Sequence, residues 1–221
     1  MTIFGSLVTL SAKNWLGMWM GLEINLMSFI PLISKSKNKK SSQAMMIYFL
    51  TQSISSITLL FSVLMNSLCE IDFFMNELFK IMIMMSIMIK VGATPFHFWL
   101  IEMMANLSWM ECFILMSWQK IAPLSIMSNM IINNWFMYLS VIMSSAVGAI
   151  GGINQTSLRK ILAYSSINHL SWMMIMISSS MNWYKYLLIY SICMMLICFM
   201  FWNKNIYFLN QMNSSSYSMI E

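Results

Sequence analysis

Charge is what this chain has least of. Of 221 residues, 9% are charged and 59% hydrophobic, where soluble domains run near about 25% and roughly 45–50%. Arginine occurs once, as Arg159, among 12 basic residues, and proline three times. So little polar side chain cannot coat a water-facing surface, which excludes a soluble fold and turns the outer surface to lipid. The mean hydropathy of +0.72 agrees.

The marks of redox and nucleotide chemistry are also missing. No glycine-rich phosphate loop follows a strand pattern, and no segment is large and polar enough to house a flavin. The four cysteines, Cys69, Cys112, Cys193 and Cys198, stand singly in apolar segments without metal-ligand or iron–sulfur spacing. Buried free thiols are expected there. Met1 runs straight into an apolar stretch with no basic lead, so insertion is expected to use the helices themselves rather than a cleaved signal.

Methionine is abundant at 29 residues, alongside much serine, asparagine and isoleucine. That usage suggests an AT-rich organellar gene; a polarizable, lipid-facing methionine surface accounts for it equally.

Apolar runs of about 20 residues between polar turns predict an all-α, polytopic transmembrane bundle of about eight helices. They fall near Thr2–Ala12, Trp15–Ile33, Ser42–Leu68, Leu78–Met103, Ser108–Met130, Trp135–Ile153, Leu158–Ser178 and Tyr184–Trp202. The first rises only about 17 Å against a hydrocarbon layer roughly 30 Å thick. With the polar stretch from Asn210 to Glu221, this suggests residues missing at both ends. The reading is one membrane domain over 1–204 and a polar tail over 205–221. Alternating loops put Lys35, Lys37, Lys39, Lys40, Arg159, Lys160 and Lys204 on one side. Lys13, Lys80 and Lys185 fall opposite, with Glu70, Asp72 and Glu77. The positive-inside rule turns the first side to the matrix or cytoplasm. The run from Lys35 to Lys40 reads as a solvated basic loop or as a contact for anionic lipid.

Three charges lie where charge is expensive. Glu23 sits about 12 Å into the second helix, Lys90 about 18 Å into the fourth and Lys120 about 18 Å into the fifth. Each costs about 2.5–3.5 kcal/mol to insert at that depth. One acid and two bases cannot neutralise one another singly, so a titrating set is expected over a static ion pair. Burial penalises the charged forms and opposite charge favours them, which couples their protonation.

Backbone breaks are expected beside both lysines. Pro95 offers no amide hydrogen to Val91 and clashes with its carbonyl, which should open the helix around Gly92, Ala93 and Thr94. Pro123 should do the same at Gln119. Irregular backbone at this depth is tolerated where it lines a polar or hydrated cavity, as in transporters. His97 and His169 offer groups that exchange protons near neutral pH; hydrogen-bonded packing serves as well for either. Ser144, Gly148 and Gly152 form a small-residue face for close helix packing. Thr51, Gln52, Ser53, Ser55, Ser56 and Thr58 make the third helix polar, for packing or a water path.

Several long segments resemble the mitochondrial NADH dehydrogenase subunit 2 family, antiporter-like membrane subunits of respiratory complex I that are related to multisubunit cation/proton antiporters. They are NWLGMWMGLEINLMSFIPL (Asn14–Leu32), YFLTQS (Tyr48–Ser53), KVGATPFHFWL (Lys90–Leu100), SWQKIAPL (Ser117–Leu124) and GAIGGINQTSLRKILAYSSINHLSW (Gly148–Trp172). The resemblance implies proton translocation through Glu23, paired with Lys90 of the helix broken around Gly92 and Pro95, then Lys120, with His169 on the same axis. It also implies the mitochondrial inner membrane, lipid and other membrane-arm subunits as surroundings, and no nucleic acid. No cofactor is expected in this chain; NADH, FMN, iron–sulfur clusters and ubiquinone are used elsewhere in such a complex. Family members continue past the equivalent of Glu221 with further helices. A stand-alone cation/proton antiporter and a structural subunit with a static charge network are the alternatives.

Overall fold

In the computed structural model, residues 1–35, 39–68, 73–130 and 135–212 are described. Ten helices run through them: α1 (Thr2–Ser11), α2 (Trp15–Ser34), α3 (Lys39–Leu68), α4 (Phe73–Val91), α5 (Phe98–Asn106), α6 (Trp109–Met116), α7 (Trp118–Asn129), α8 (Trp135–Ile153), α9 (Leu158–Ser178) and α10 (Trp183–Lys204). The eight expected segments are all present, two of them as broken pairs, α4 with α5 and α6 with α7. Among the described residues, α2, α3, α8 and α10 are long and apolar enough to cross a membrane. Lys37, Cys69, Glu70 and Asp72 lie outside the described residues.

Small residues set the tightest helix contacts. A Cβ on Gly5 of α1 would stand 2.8 Å from the Asn25 amide nitrogen of α2. On α8, Ser144 is fully buried, and a Cβ on Gly148 would lie 2.9 Å from the Asn168 amide nitrogen of α9. Removing side-chain bulk lets backbones approach where lipid supplies no hydrophobic drive between helices. The expected small-residue face of α8 therefore does pack, and it packs on α9.

The first break follows from Gly92. Its φ is +79°, a left-handed conformation that costs other L-residues about 1–2 kcal/mol. It ends α4 with paired backbone bonds, Ala93 N–H to the Met88 carbonyl at 3.0 Å and Gly92 N–H to the Ile89 carbonyl at 3.3 Å. That is a glycine-capped helix end, which satisfies carbonyls the helix would otherwise orphan. The Thr94–Pro95 peptide is cis, and α5 resumes at Phe98.

The second break departs from expectation: the helix bends at Ser117, and Pro123 sits inside α7. The Ser117 hydroxyl donates to the Phe113 carbonyl at 2.6 Å, which already accepts the Ser117 amide at 3.0 Å. Such back-bonding competes with the helical ladder and bends it. At the start of α6, Ser108 and Glu111 form a reciprocal capping box, the Ser108 amide donating to Glu111 Oε2 at 2.8 Å. This absorbs a buried carboxylate structurally.

Two apolar clusters fill the interior. One gathers Phe29, Tyr48, Trp99, Leu100 and Trp109 around α5 and α6; the other gathers Leu22, Leu59, Val91, Leu124 and Leu170 around α4, α7 and α9. Outward, α10 exposes Leu188, Ile189, Ile192, Leu196 and Phe199, a continuous apolar surface. Cys112 and Cys198 are buried free thiols as expected, but Cys193 is exposed. It lies on the outward side of α10, where an apolar environment needs no burial within the protein.

Beyond α10 the chain folds back on the α8–α9 connection. Leu158 N–H donates to the Tyr207 carbonyl at 3.0 Å, and Leu209 N–H to the Thr156 carbonyl at 3.1 Å. The single arginine fastens this corner. Arg159 donates to the Leu107 carbonyl, and its guanidinium stacks 4.9 Å from the Tyr207 ring centroid.

Candidate functional site

At the seam between the two apolar clusters lies a cavity of about 20 Å³, room for about one water. Leu22, Leu26, Val91, Trp99, Leu100 and Leu115 wall it, and Asn25, Tyr48, Gln52, Gln119, Lys90 and Lys120 give it polarity. Both lysines are buried, Lys90 at 7% and Lys120 at 2% exposure. A cavity this small with so many polar groups is a place for a bound solvent molecule rather than for an organic ligand.

Each lysine is placed by its helix break. Lys90 stands in the last turn of α4, the end at which helix carbonyls favour a cation. Its own carbonyl, freed by the cap, accepts from Gln52 Nε2 at 3.2 Å. The neighbouring Ile89 carbonyl accepts the Trp99 indole at 3.0 Å. Buried carbonyls at a helix end must find such donors. Gln52 thus gives the polar face of α3 a purpose outside its own helix, whereas Ser55, Ser56 and Ser62 return their hydroxyls to α3 carbonyls.

Lys120 stands in the first turn of α7, the end whose amides repel a cation. Its Nζ donates to the Ser166 carbonyl of α9 at 3.0 Å and lies 5.5 Å from the Tyr190 ring centroid of α10. Between the lysines a polar chain crosses the cavity: Gln119 Nε2 donates to Asn25 Oδ1 at 3.1 Å, and the Tyr48 hydroxyl points to Gln119 Oε1 at 3.5 Å.

Glu23 is half-buried on α2. It interacts electrostatically with Lys90 and Tyr48. Among the described residues the ion pair within 4 Å is Lys80 with Glu77, so Glu23 and Lys90 face one another without closing a salt bridge. One Glu23 oxygen, Oε1, is buried without a hydrogen-bond partner. His169 lies beyond Lys120, its Nδ1 2.7 Å from the Tyr186 hydroxyl and its ring 5.0 Å from that of Tyr190. His97 does not line the cavity; its Nδ1 lies 3.3 Å from the Pro95 carbonyl and its ring against Phe98. Packing accounts for it.

Lys90 and Lys120 thus share one cavity, with Glu23 near the first and His169 beside the second. The sequence reading passed over Asn25, Tyr48, Gln119, Tyr186 and Tyr190. Asn25 and Gln119 carried a legible signal, being amides inside apolar spans beside a buried charge. The tyrosines carried none, since their partners come from other helices.

The family model described as NADH:quinone oxidoreductase/Mrp antiporter, TM, matches residues 12–219. The chain belongs to that family. Within it, NADH-ubiquinone oxidoreductase chain 2 of Locusta migratoria is 47% identical over 221 residues, covering 99% of this chain and 65% of its own length. The protein of the same name from Anopheles gambiae is 48% identical over 219 residues, covering 96% and 63%. The chain therefore spans less than two thirds of the length of these relatives. A chain of respiratory complex I from Thermus thermophilus superposes with a TM-score of 0.80 over 89% of this chain and 49% of its own, at 18% identity. That likeness speaks for the fold. The family membership bears out the resemblance read from the five sequence segments, and the antiporter-type fold carries the helix broken at Gly92.

Proposed function

We propose that this chain is a membrane-arm subunit of a mitochondrial NADH:ubiquinone oxidoreductase and moves protons along Glu23, Lys90, Lys120 and His169. NADH, FMN, iron–sulfur clusters and ubiquinone serve the electron transfer in other subunits. The basic loops face the matrix, following the positive-inside rule, and the outer helices face lipid.

One observation carries the reading: two buried lysines from different helices line the same small polar cavity. Charges at such depth are costly and mark ion pathways. A static network would close each charge on a partner, yet Glu23 Oε1 is left without one, and Lys120 rests on a neutral carbonyl. A proton entering from the Glu23 side meets Lys90, crosses the cavity lined by Asn25 and Gln119, and reaches Lys120. Each amine accepts a proton on its lone pair and releases one from its ammonium form, so the path returns to its starting state.

The test is a native gel of gently solubilised organellar membranes, stained for NADH dehydrogenase activity, with the chain's peptides followed across the lane. Peptides confined to the active high-mass band support the assignment. Peptides found only in a small species without that activity sink it and leave a stand-alone antiporter.

A further inference from the structure

Two consecutive side chains hold the start of α7 from different sides. Gln119 reaches to α2, its Nε2 donating to Asn25 Oδ1 at 3.1 Å, and Lys120 reaches to α9, its Nζ donating to the Ser166 carbonyl at 3.0 Å. The helical ladder holds this turn loosely. Pro123 lies four residues after Gln119 inside α7 and has no amide hydrogen to offer the Gln119 carbonyl. The Lys120 amide meets the Ser117 carbonyl at 3.4 Å, beyond the usual range of about 2.7–3.2 Å. Side chains therefore carry what the backbone does not.

The Gln119 amide is met at both arms. Such a group donates through nitrogen and accepts through oxygen, and here the nitrogen meets Asn25 while the oxygen faces the Tyr48 hydroxyl at 3.5 Å. Asn25 and Tyr48 are each 3% exposed, and all three residues line the cavity that the lysines share. Burying amides is costly unless they are bonded, and apolar side chains would close α2 against α7 without that cost. The bond is placed where it bears on the proton path, with Gln119 next to Lys120 and Asn25 two residues from Glu23.

We infer that Gln119 is a positioning residue for Lys120: anchored on Asn25, it fixes the first turn of α7 so that the amine stays between the Ser166 carbonyl and the cavity. This rests on the proton-path reading above. Gln119 neither takes nor gives a proton; it acts through the place of its neighbour. Asn25 is the other half of the anchor, and Tyr48, through a longer contact, orients the amide. Proton transfer needs its partners within hydrogen-bond reach, so a turn that drifts takes Lys120 off the path.

The experiment measures NADH-driven proton uptake into sealed inner-membrane vesicles, normalised to assembled complex. The variants are Gln119→Met, Asn25→Leu, the two combined, the exchange Asn25→Gln with Gln119→Asn, and Lys120→Met. Gln119→Met keeps the length of the side chain and removes the amide. It is expected to slow pumping by about tenfold or more, since a misplacement of about 1 Å can cost about a hundredfold. Asn25→Leu cuts the same bond from its other end, and the combined variant should be no slower than the slower single, because one interaction is lost once. The exchange moves a methylene from α7 to α2 and lets the amides meet again, so it should recover most of the rate. A merely structural role would lower the amount of assembled complex and leave the rate per complex unchanged. If Gln119→Met does not assemble, Asn25→Leu and the exchange decide. Native pumping per complex in either single variant, or additive losses with no recovery in the exchange, overturns the anchor; Lys120→Met inactive in the same series leaves the lysine path standing. Native pumping in Lys120→Met overturns both.

Discussion

The two buried lysines occupy opposite kinds of site. Lys90 ends a helix, in the last turn of α4, with a carboxylate in electrostatic reach and its own carbonyl left by the glycine cap to Gln52. Lys120 begins one, in the first turn of α7, with a single neutral carbonyl as acceptor and an aromatic face alongside. The helix terminus and the acid favour charge at the first position, and neither does so at the second. Two identical side chains on one cavity are thereby made unequal, with charge better held at Lys90, so on the proposed path the step from Lys90 to Lys120 is the one that must be driven. The breaks differ in the same sense. At Gly92 the chain leaves the helix altogether, whereas at Ser117 it only bends.

The sharpest way to break this comparison is to remove each amine. Lys120→Met, isosteric and uncharged, is expected to reduce proton pumping by about tenfold or more with the complex still assembled; normal pumping would show that Lys120 is structural. Lys90→Met should be comparably inactive and in addition assemble less well, because the half-buried Glu23, its Oε1 already unpartnered, then loses its nearby cation. A native-gel ratio of assembled to total protein separates the two outcomes.

A double-mutant cycle sharpens the contrast. Glu23→Gln with Lys90→Met is expected to be non-additive in pumping rate by about 1–3 kcal/mol, and Glu23→Gln with Lys120→Met close to additive. Equal coupling in both cycles would erase the distinction between the lysines. Gly92→Ala is expected to cost about 1–2 kcal/mol, since its φ of +79° strains any other L-residue. The added methyl would also meet Leu100 Cδ1 at 2.8 Å. Thermal release of the chain from the complex measures it. Ser117→Ala should be the mildest, within about 0.5–1 kcal/mol, because a back-bonded hydroxyl only competes with a ladder that can close without it.

Much of the fold was legible because the solvent is legible. Apolar runs of membrane length gave Trp135–Ile153 and Leu158–Ser178 at the observed bounds, and Pro95 announced the opening after Lys90, which the left-handed Gly92 makes. The bend in the next segment was misplaced to Gln119. Pro123 is conspicuous in sequence, but Ser117 acts through a hydrogen bond to its own helix that serines elsewhere in this chain make without bending it, Ser86 of α4 among them. Glu23, Lys90 and Lys120 were found from insertion cost alone, since a charge in an apolar run stands out without knowledge of its neighbours. Tyr48, Tyr186 and Tyr190 were not. Their significance lies in which helix they face, and pairing between helices leaves little trace in a single sequence.

The cavity between the lysines admits about one water. One water can accept from an ammonium and donate to a neutral amine at the same moment, so a single molecule there would bridge the two lysines. On the proposed path the smallness of the space then acts as a bottleneck, leaving the two amines one bridging molecule and no room for a wider column of solvent.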